Sequence, residues 1–169
     1  MVKALGSIVV CIAWSIGVMA QTPPRIERHY DAAKNETSYR FIEKLEVRKN
    51  GELDLFGRFT FPGARRSAPV EQFRLALMWI GLERIFSTPA IAAVEVDGRE
   101  IYKELGEHGI DIDGNTVDES VAFDVPAAVV TAMAEGERVV VRIDDLRMPL
   151  TPSHVRALRE LLRLATGAE

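Results

Sequence analysis

From Thr37 onward, short runs of alternating apolar and polar residues recur along the chain, each closed by a tight-turn signal. Period-two alternation puts successive side chains on opposite faces of a strand, so each run describes a strand with one buried face. Tyr39, Phe41, Leu45 and Val47 alternate with Arg40, Ile42, Lys44, Glu46 and Arg48, with one slip near Glu43 that predicts a bulge. Asn50-Gly51 follows as a hairpin signal, on the expectation that both positions accept positive φ. Leu53, Leu55, Phe59 and Phe61 then return, with Gly57 as a candidate bulge.

The same grammar continues. Pro62 to Pro69 is a loop by composition, and Phe73, Leu75, Leu77 and Trp79 mark a strand. Residues 81–90 have no clean period, which leaves room for a helical turn. Ile91–Val96 turns at Asp97-Gly98 and returns through Arg99–Leu105, and the stretch around Gly106-Glu107-His108-Gly109 reads as a loop. Val121, Phe123 and Val125 form a short strand. Pro126–Ala134 opens as a short helix that Gly136 ends. Val139–Ile143 is a strand turned by Asp144-Asp145, and Leu146–Leu150 pairs back.

The last segment changes period. Thr151 is an N-cap, Pro152 suits the first helical position, and Val155, Leu158, Leu161, Leu162 and Ala165 form an apolar stripe. Runs of strands followed by a helix predict an α+β, mainly β fold. The expected architecture is an antiparallel, β-sandwich-like sheet of about seven or eight strands with a C-terminal amphipathic helix over 152–166. The β/α alternation of a parallel nucleotide-binding sheet is absent.

The first twenty residues follow a different pattern. Lys3 is their only charge, Ile8–Met19 is apolar apart from Ser15 and Gly17, and Val18-Met19-Ala20 ends the run with small or apolar residues. This is the pattern of a secretory signal peptide over 1–20. The apolar run falls short of the roughly 20 residues a spanning helix needs, and an uncleaved N-terminal anchor is the alternative reading of it. Residues 21–36, opened by Pro23-Pro24, read as an extended lead-in, and 37–169 as one β-rich domain. The single cysteine, Cys11, lies in the leader, so residues 21–169 carry no thiol nucleophile and no cysteine metal site. A cysteine-free exported domain suits a bacterial envelope.

Among the 169 residues, 21 Lys and Arg face 25 Asp and Glu, a net charge of −4 that gives no footprint for nucleic acid. No phosphate-binding glycine loop and no G-x-S-x-G elbow occurs. His29, His108 and His154 have no metal-ligand spacing, and His154, in the first turn of the last helix, reads as a surface residue. No catalytic set, metal or cofactor is assigned on these grounds.

Four residues stand out as candidate ligand contacts. Asp111, Asp113 and Asn115 alternate in an acidic turn and can aim oxygens at one cation, although an EF-hand would need its glycine and its final glutamate elsewhere. Trp79 is the lone tryptophan after the leader and could line a pocket. Asp144-Asp145 offers adjacent carboxylates at a turn. Arg65-Arg66, with Arg156, Arg159 and Arg163 along the last helix, could attract an anionic surface. Asn35-Glu36-Thr37 matches a glycosylation sequon, which acts only in a eukaryotic secretory pathway.

Tyr30-Asp31, the Ile91–Val96 strand running into Asp97-Gly98-Arg99-Glu100-Ile101, the Val121–Pro126 segment and the ending Leu150–Arg159 together resemble a group of exported bacterial β-rich proteins. The resemblance implies export and a β-rich fold and carries no activity to individual residues. The sequence reading is therefore an exported, periplasmic or secreted, non-enzymatic binding or envelope-accessory module. Its expected partner is a protein or small ligand of the envelope, with no nucleic acid and no span left after leader cleavage. The rival readings are a small periplasmic hydrolase built on His108 with Asp111 or Asp113, and a carrier of an apolar ligand with Trp79 and Phe73 in its cavity.

Overall fold

The computed structural model describes residues 24–167. The proposed leader 1–20 lies outside the described residues. Nine strands and two helices follow in chain order: β1 (Glu27–Asp31), β2 (Glu36–Arg48), β3 (Gly51–Pro62), β4 (Gln72–Gly81), β5 (Ala90–Val96), β6 (Arg99–Asp113), β7 (Thr116–Pro126), α1 (Ala127–Glu135), β8 (Val139–Ile143), β9 (Leu146–Pro149) and α2 (Pro152–Thr166).

The strands join in one antiparallel order, β1-β2-β3-β4-β7-β6-β5-β8-β9, which curls into a half-barrel. This differs from the expected sandwich-like sheet of seven or eight strands. A sandwich packs two separate sheets face to face. Here β6 is long enough to pair with β5 through Arg99–Gly106 and with β7 through Glu107–Asp113, so one strand links what would be two sheets. The inner face is covered by helices: α2 lies on β2, β3 and α1, and α1 on β4 and β7.

Alternation explains the core. Leu53 and Leu55, Phe73, Leu75, Leu77 and Trp79, and Val121, Phe123 and Val125 occupy every second position and are buried. Leu158 and Leu161 of α2 close over them. Each such side chain contributes about 1.5–3 kcal/mol when fully buried. α2 ends at Gly167, whose φ of 80° suits the left-handed stop.

Several local expectations are corrected. Gly57 pairs in regular register with Phe41, whereas the bulge expected near Glu43 is present in β2, between Lys44 and Glu46. Gly57 is needed because the Phe41 ring lies where a β-carbon would sit. Arg48 pairs with Gly51, so Lys49-Asn50 makes the turn, and neither Asn50 nor Gly51 has positive φ. Gly51 and its cross-strand partner Gly81 instead make room for the Trp79 indole. Asp97-Gly98 does turn with positive φ at both residues. Residues 82–89 contain no helical turn, and the supposed loop at 106–109 is the middle of β6.

His154 is buried rather than surface-exposed. Its Nδ1 accepts the Thr151 backbone N–H at 2.9 Å, and its Nε2 donates to the Lys44 carbonyl at 2.9 Å. The first contact satisfies an orphan donor at the helix start. The second fastens α2 to the β2 bulge.

Candidate functional site

The segment from Leu82 to Pro89 leaves β4 and passes over the inner ends of β6 and β7 before β5 begins. Beneath it lies Glu119 of β7, in phase with Val117, Val121 and Phe123 on the core-facing side and fully buried. A buried carboxylate is costly unless hydrogen bonds replace its water. Glu119 has four donors. Oε2 accepts the backbone N–H groups of Ile85 at 2.8 Å and Phe86 at 3.2 Å. Oε1 accepts Nε2 of His108 at 2.8 Å and Nε of Arg84 at 3.2 Å. Burial pushes its acidity toward a higher pKa, but the bonds from Ile85, His108, Phe86 and Arg84 outweigh burial and hold Glu119 below the ordinary glutamate value.

An ionised Glu119 requires a proton on His108 Nε2, which in the neutral imidazole leaves Nδ1 without one. In that neutral form Nδ1 is an acceptor, with the Thr88 hydroxyl 3.0 Å away to donate to it. Arg84 Nη2 donates to the same hydroxyl at 3.1 Å. Arg84, Thr88, His108 and Glu119 thus close a ring of hydrogen bonds, with the hydroxyl exposed and the carboxylate buried. The order hydroxyl, imidazole, carboxylate is that of a base-activated nucleophile. Acyl transfer also needs N–H donors aimed at a developing oxyanion. The N–H groups of Ile85 and Phe86, which lie in the same segment, are spent on Glu119.

The sequence-derived candidates are placed as follows. Asp111 and Asp113 lie at the exposed end of β6, opposite Asp118 and Thr116, and Asn115 sits in the turn after Gly114. Asp111 Oδ1 accepts the backbone N–H of Ile112. Among the described residues, no group of three or more His, Cys, Asp or Glu side chains is arranged to hold a metal ion. Trp79 is in the core, and its indole N–H donates to the Glu83 carbonyl at 2.7 Å. Asp144 turns β8 into β9 and accepts the Ile91 N–H. His108 is brought to Glu119 and Thr88, and neither Asp111 nor Asp113 joins it. Sequence reading missed Glu119 and Thr88. The available signal was a charged residue at an apolar phase, Glu119 between Val117 and Val121.

The arginines noted in the sequence are largely employed. Arg66 donates to the carbonyls of Leu164 and Ala165 at the end of α2, and Arg159 Nε donates to the Ala134 carbonyl at the end of α1. Arg163 pairs with Glu160.

No helix among the described residues is long and apolar enough to cross a membrane. No protein-family model, curated protein or solved structure matches this chain.

Proposed function

We propose that the protein is an exported, non-enzymatic binding module of the cell envelope. The observation that carries this reading is the saturation of Glu119. Its four donors come from one segment and one strand, so the buried acid acts as a brace that shapes residues 84–88 on the sheet. A brace of this kind presents a loop in one conformation at a low entropic cost to any partner that meets it. The core supports the same reading over an apolar carrier, because Trp79 and Phe73 are buried within the continuous apolar cluster.

A second reading, a small hydrolase, draws on the Thr88–His108–Glu119 array, and the two are separated by assay. The purified chain and T88V are each incubated with a panel of activated acetyl and phosphate esters. The binding-module reading expects equal background rates. An acyl burst or turnover that T88V abolishes, with folding unchanged, would overturn it in favour of a threonine nucleophile. H108Q adds a check: a brace predicts loss of stability at every pH, whereas a catalytic base predicts a changed rate profile.

A further inference from the structure

At the far end of the sheet from Glu119, the edge strand β1, the C-terminal end of α2 and the loop after β3 enclose a concavity of about 690 Å³. Arg28, Arg65 and Arg66 line it together with Tyr39, Phe61 and Leu164. Among the described residues, no carboxylate lies on its wall. Half of the chemistry is thus cationic and half apolar.

The three guanidinium groups have no acidic partner among the described residues. Arg28 donates to the Ala64 carbonyl at 2.8 Å, and Arg66 donates to the last carbonyls of α2. Arg65 is exposed and makes no hydrogen bond or ion pair among the described residues. In a chain of net charge −4 this is, among the described residues, a local excess of positive charge. Arg66 has its charge partly offset by the negative end of the α2 dipole and acts as the fixed floor. Arg28 and Arg65 keep donors to spare, and the planar fork of a guanidinium suits an oxyanion that accepts two bonds. Opposite them, Tyr39 stacks parallel to Phe59 at 5.2 Å and to Phe61 at 6.3 Å between ring centres, which makes a stiff aromatic wall. The Tyr39 hydroxyl has no hydrogen-bond partner among the described residues.

We propose that this concavity binds an amphiphilic anion, with its carboxylate or phosphate head on Arg28 and Arg65 and its apolar body against Tyr39, Phe61 and Leu164. The proposal rests on the binding-module reading and gives it a ligand class. Binding would relieve the mutual repulsion of the arginines and raise the stability of the folded state.

The test is calorimetric titration and thermal unfolding of the purified chain with four probes: octyl phosphate, octanoate, octyl glucoside and inorganic phosphate. Octyl phosphate or octanoate is expected to bind and raise the unfolding temperature, and the stronger of the two identifies the head group. R28A/R65A is expected to weaken that binding about tenfold or more, the scale of losing charge-assisted bonds. Arg66 is left in place because it caps α2. R65A alone, at an exposed position, repeats the test should the double variant fold poorly. Octyl glucoside binding as tightly as octyl phosphate, inorganic phosphate matching it, or arginine variants with unchanged affinity would each overturn the proposal. None of those outcomes bears on Thr88-dependent turnover, so the ligand assignment and the binding-module reading fail separately.

Discussion

Replacing Glu119 by glutamine tests whether the buried carboxylate holds the 84–88 segment in place. The side chains are nearly isosteric, so the change is one of charge and donors. The carboxylate accepts four bonds, two at 2.8 Å and two at 3.2 Å. The glutamine carbonyl can keep two of these. Its amide group meets the other two donors head-on and leaves them without an acceptor. An unsatisfied buried donor costs about 1–3 kcal/mol, and breaking one side of a buried charged network about 3–5 kcal/mol. E119Q is therefore expected to lose about 3–5 kcal/mol, a large part of the 5–15 kcal/mol that holds a typical domain together. With a urea slope of about 2 kcal/mol per molar, the midpoint falls by about 2 M. Circular dichroism reads the midpoint, and amide hydrogen exchange at Ile85 and Phe86 reads the local opening. The pH dependence has a definite sign. Glu119 in the folded state ionises below the ordinary value of 4.5. Its contribution is present above that value and is lost as pH falls through the lower folded one. The parent chain should lose stability across that acid window, and E119Q should lose less. An E119Q chain with the parent's midpoint and the parent's acid slope would refute the brace.

Other positions make independent predictions. H154A removes the ring's hydrogen bonds to Thr151 and Lys44 and a buried ring at the start of α2, at a cost of about 2–4 kcal/mol, and hydrogen exchange should show the first turn of the helix opening before the sheet. G57A drives a methyl group into the Phe41 ring, with an expected loss of about 1–3 kcal/mol from overpacking, and G57A/F41L should recover part of it by chemical denaturation. D54N is expected to stabilise. Burial raises the Asp54 pKa against the pull of Lys44, with Glu52 adding to the rise, and one of its oxygens is buried with no hydrogen-bond partner among the described residues. A raised folded pKa contributes stability below the unfolded value of 3.8 and loses it as pH rises through the folded one. At neutral pH the neutral amide should therefore gain up to about 1 kcal/mol, and a D54N chain less stable than the parent at pH 7 would contradict this.

How much of this was legible in the residues depended on whether both faces of a strand carried a signal. β3, β4 and β7 were readable because the inner face is covered by helices and the outer face is wet, so burial alternates with sequence. β6 was not. Its C-terminal half lies where no helix among the described residues covers the inner face, so Ile110 and Ile112 remain exposed beside acidic neighbours, and Gly106 and Gly109 resemble loop punctuation. α2 was readable because the capping pair and the leucine stripe are local. The meeting of His108 with Glu119 follows from the β6–β7 register, in which His108 faces Val121 and Ile110 faces Glu119. The two-residue Gly114-Asn115 turn sets that register, but it speaks only once 106–109 is read as strand rather than loop, and Thr88 reaches the pair only through the path of the segment after β4. The burial of His154 likewise depends on a distant bulge that exposes the Lys44 carbonyl.

The double pairing of β6 also orders the assembly of the chain. β5–β6 and β6–β7 are hairpins closed by two-residue turns, so the three strands β5, β6 and β7 can meet early, while loop closure is still cheap. β4 must wait for β7, across the whole of β5 and β6, and β8 must wait for β5 across β6, β7 and α1. The strand that joins the two halves of the finished sheet is thus the template on which each half is laid. A lesion in the middle of β6, at Gly106 where an added β-carbon would meet Val121, is expected to slow folding more than it speeds unfolding.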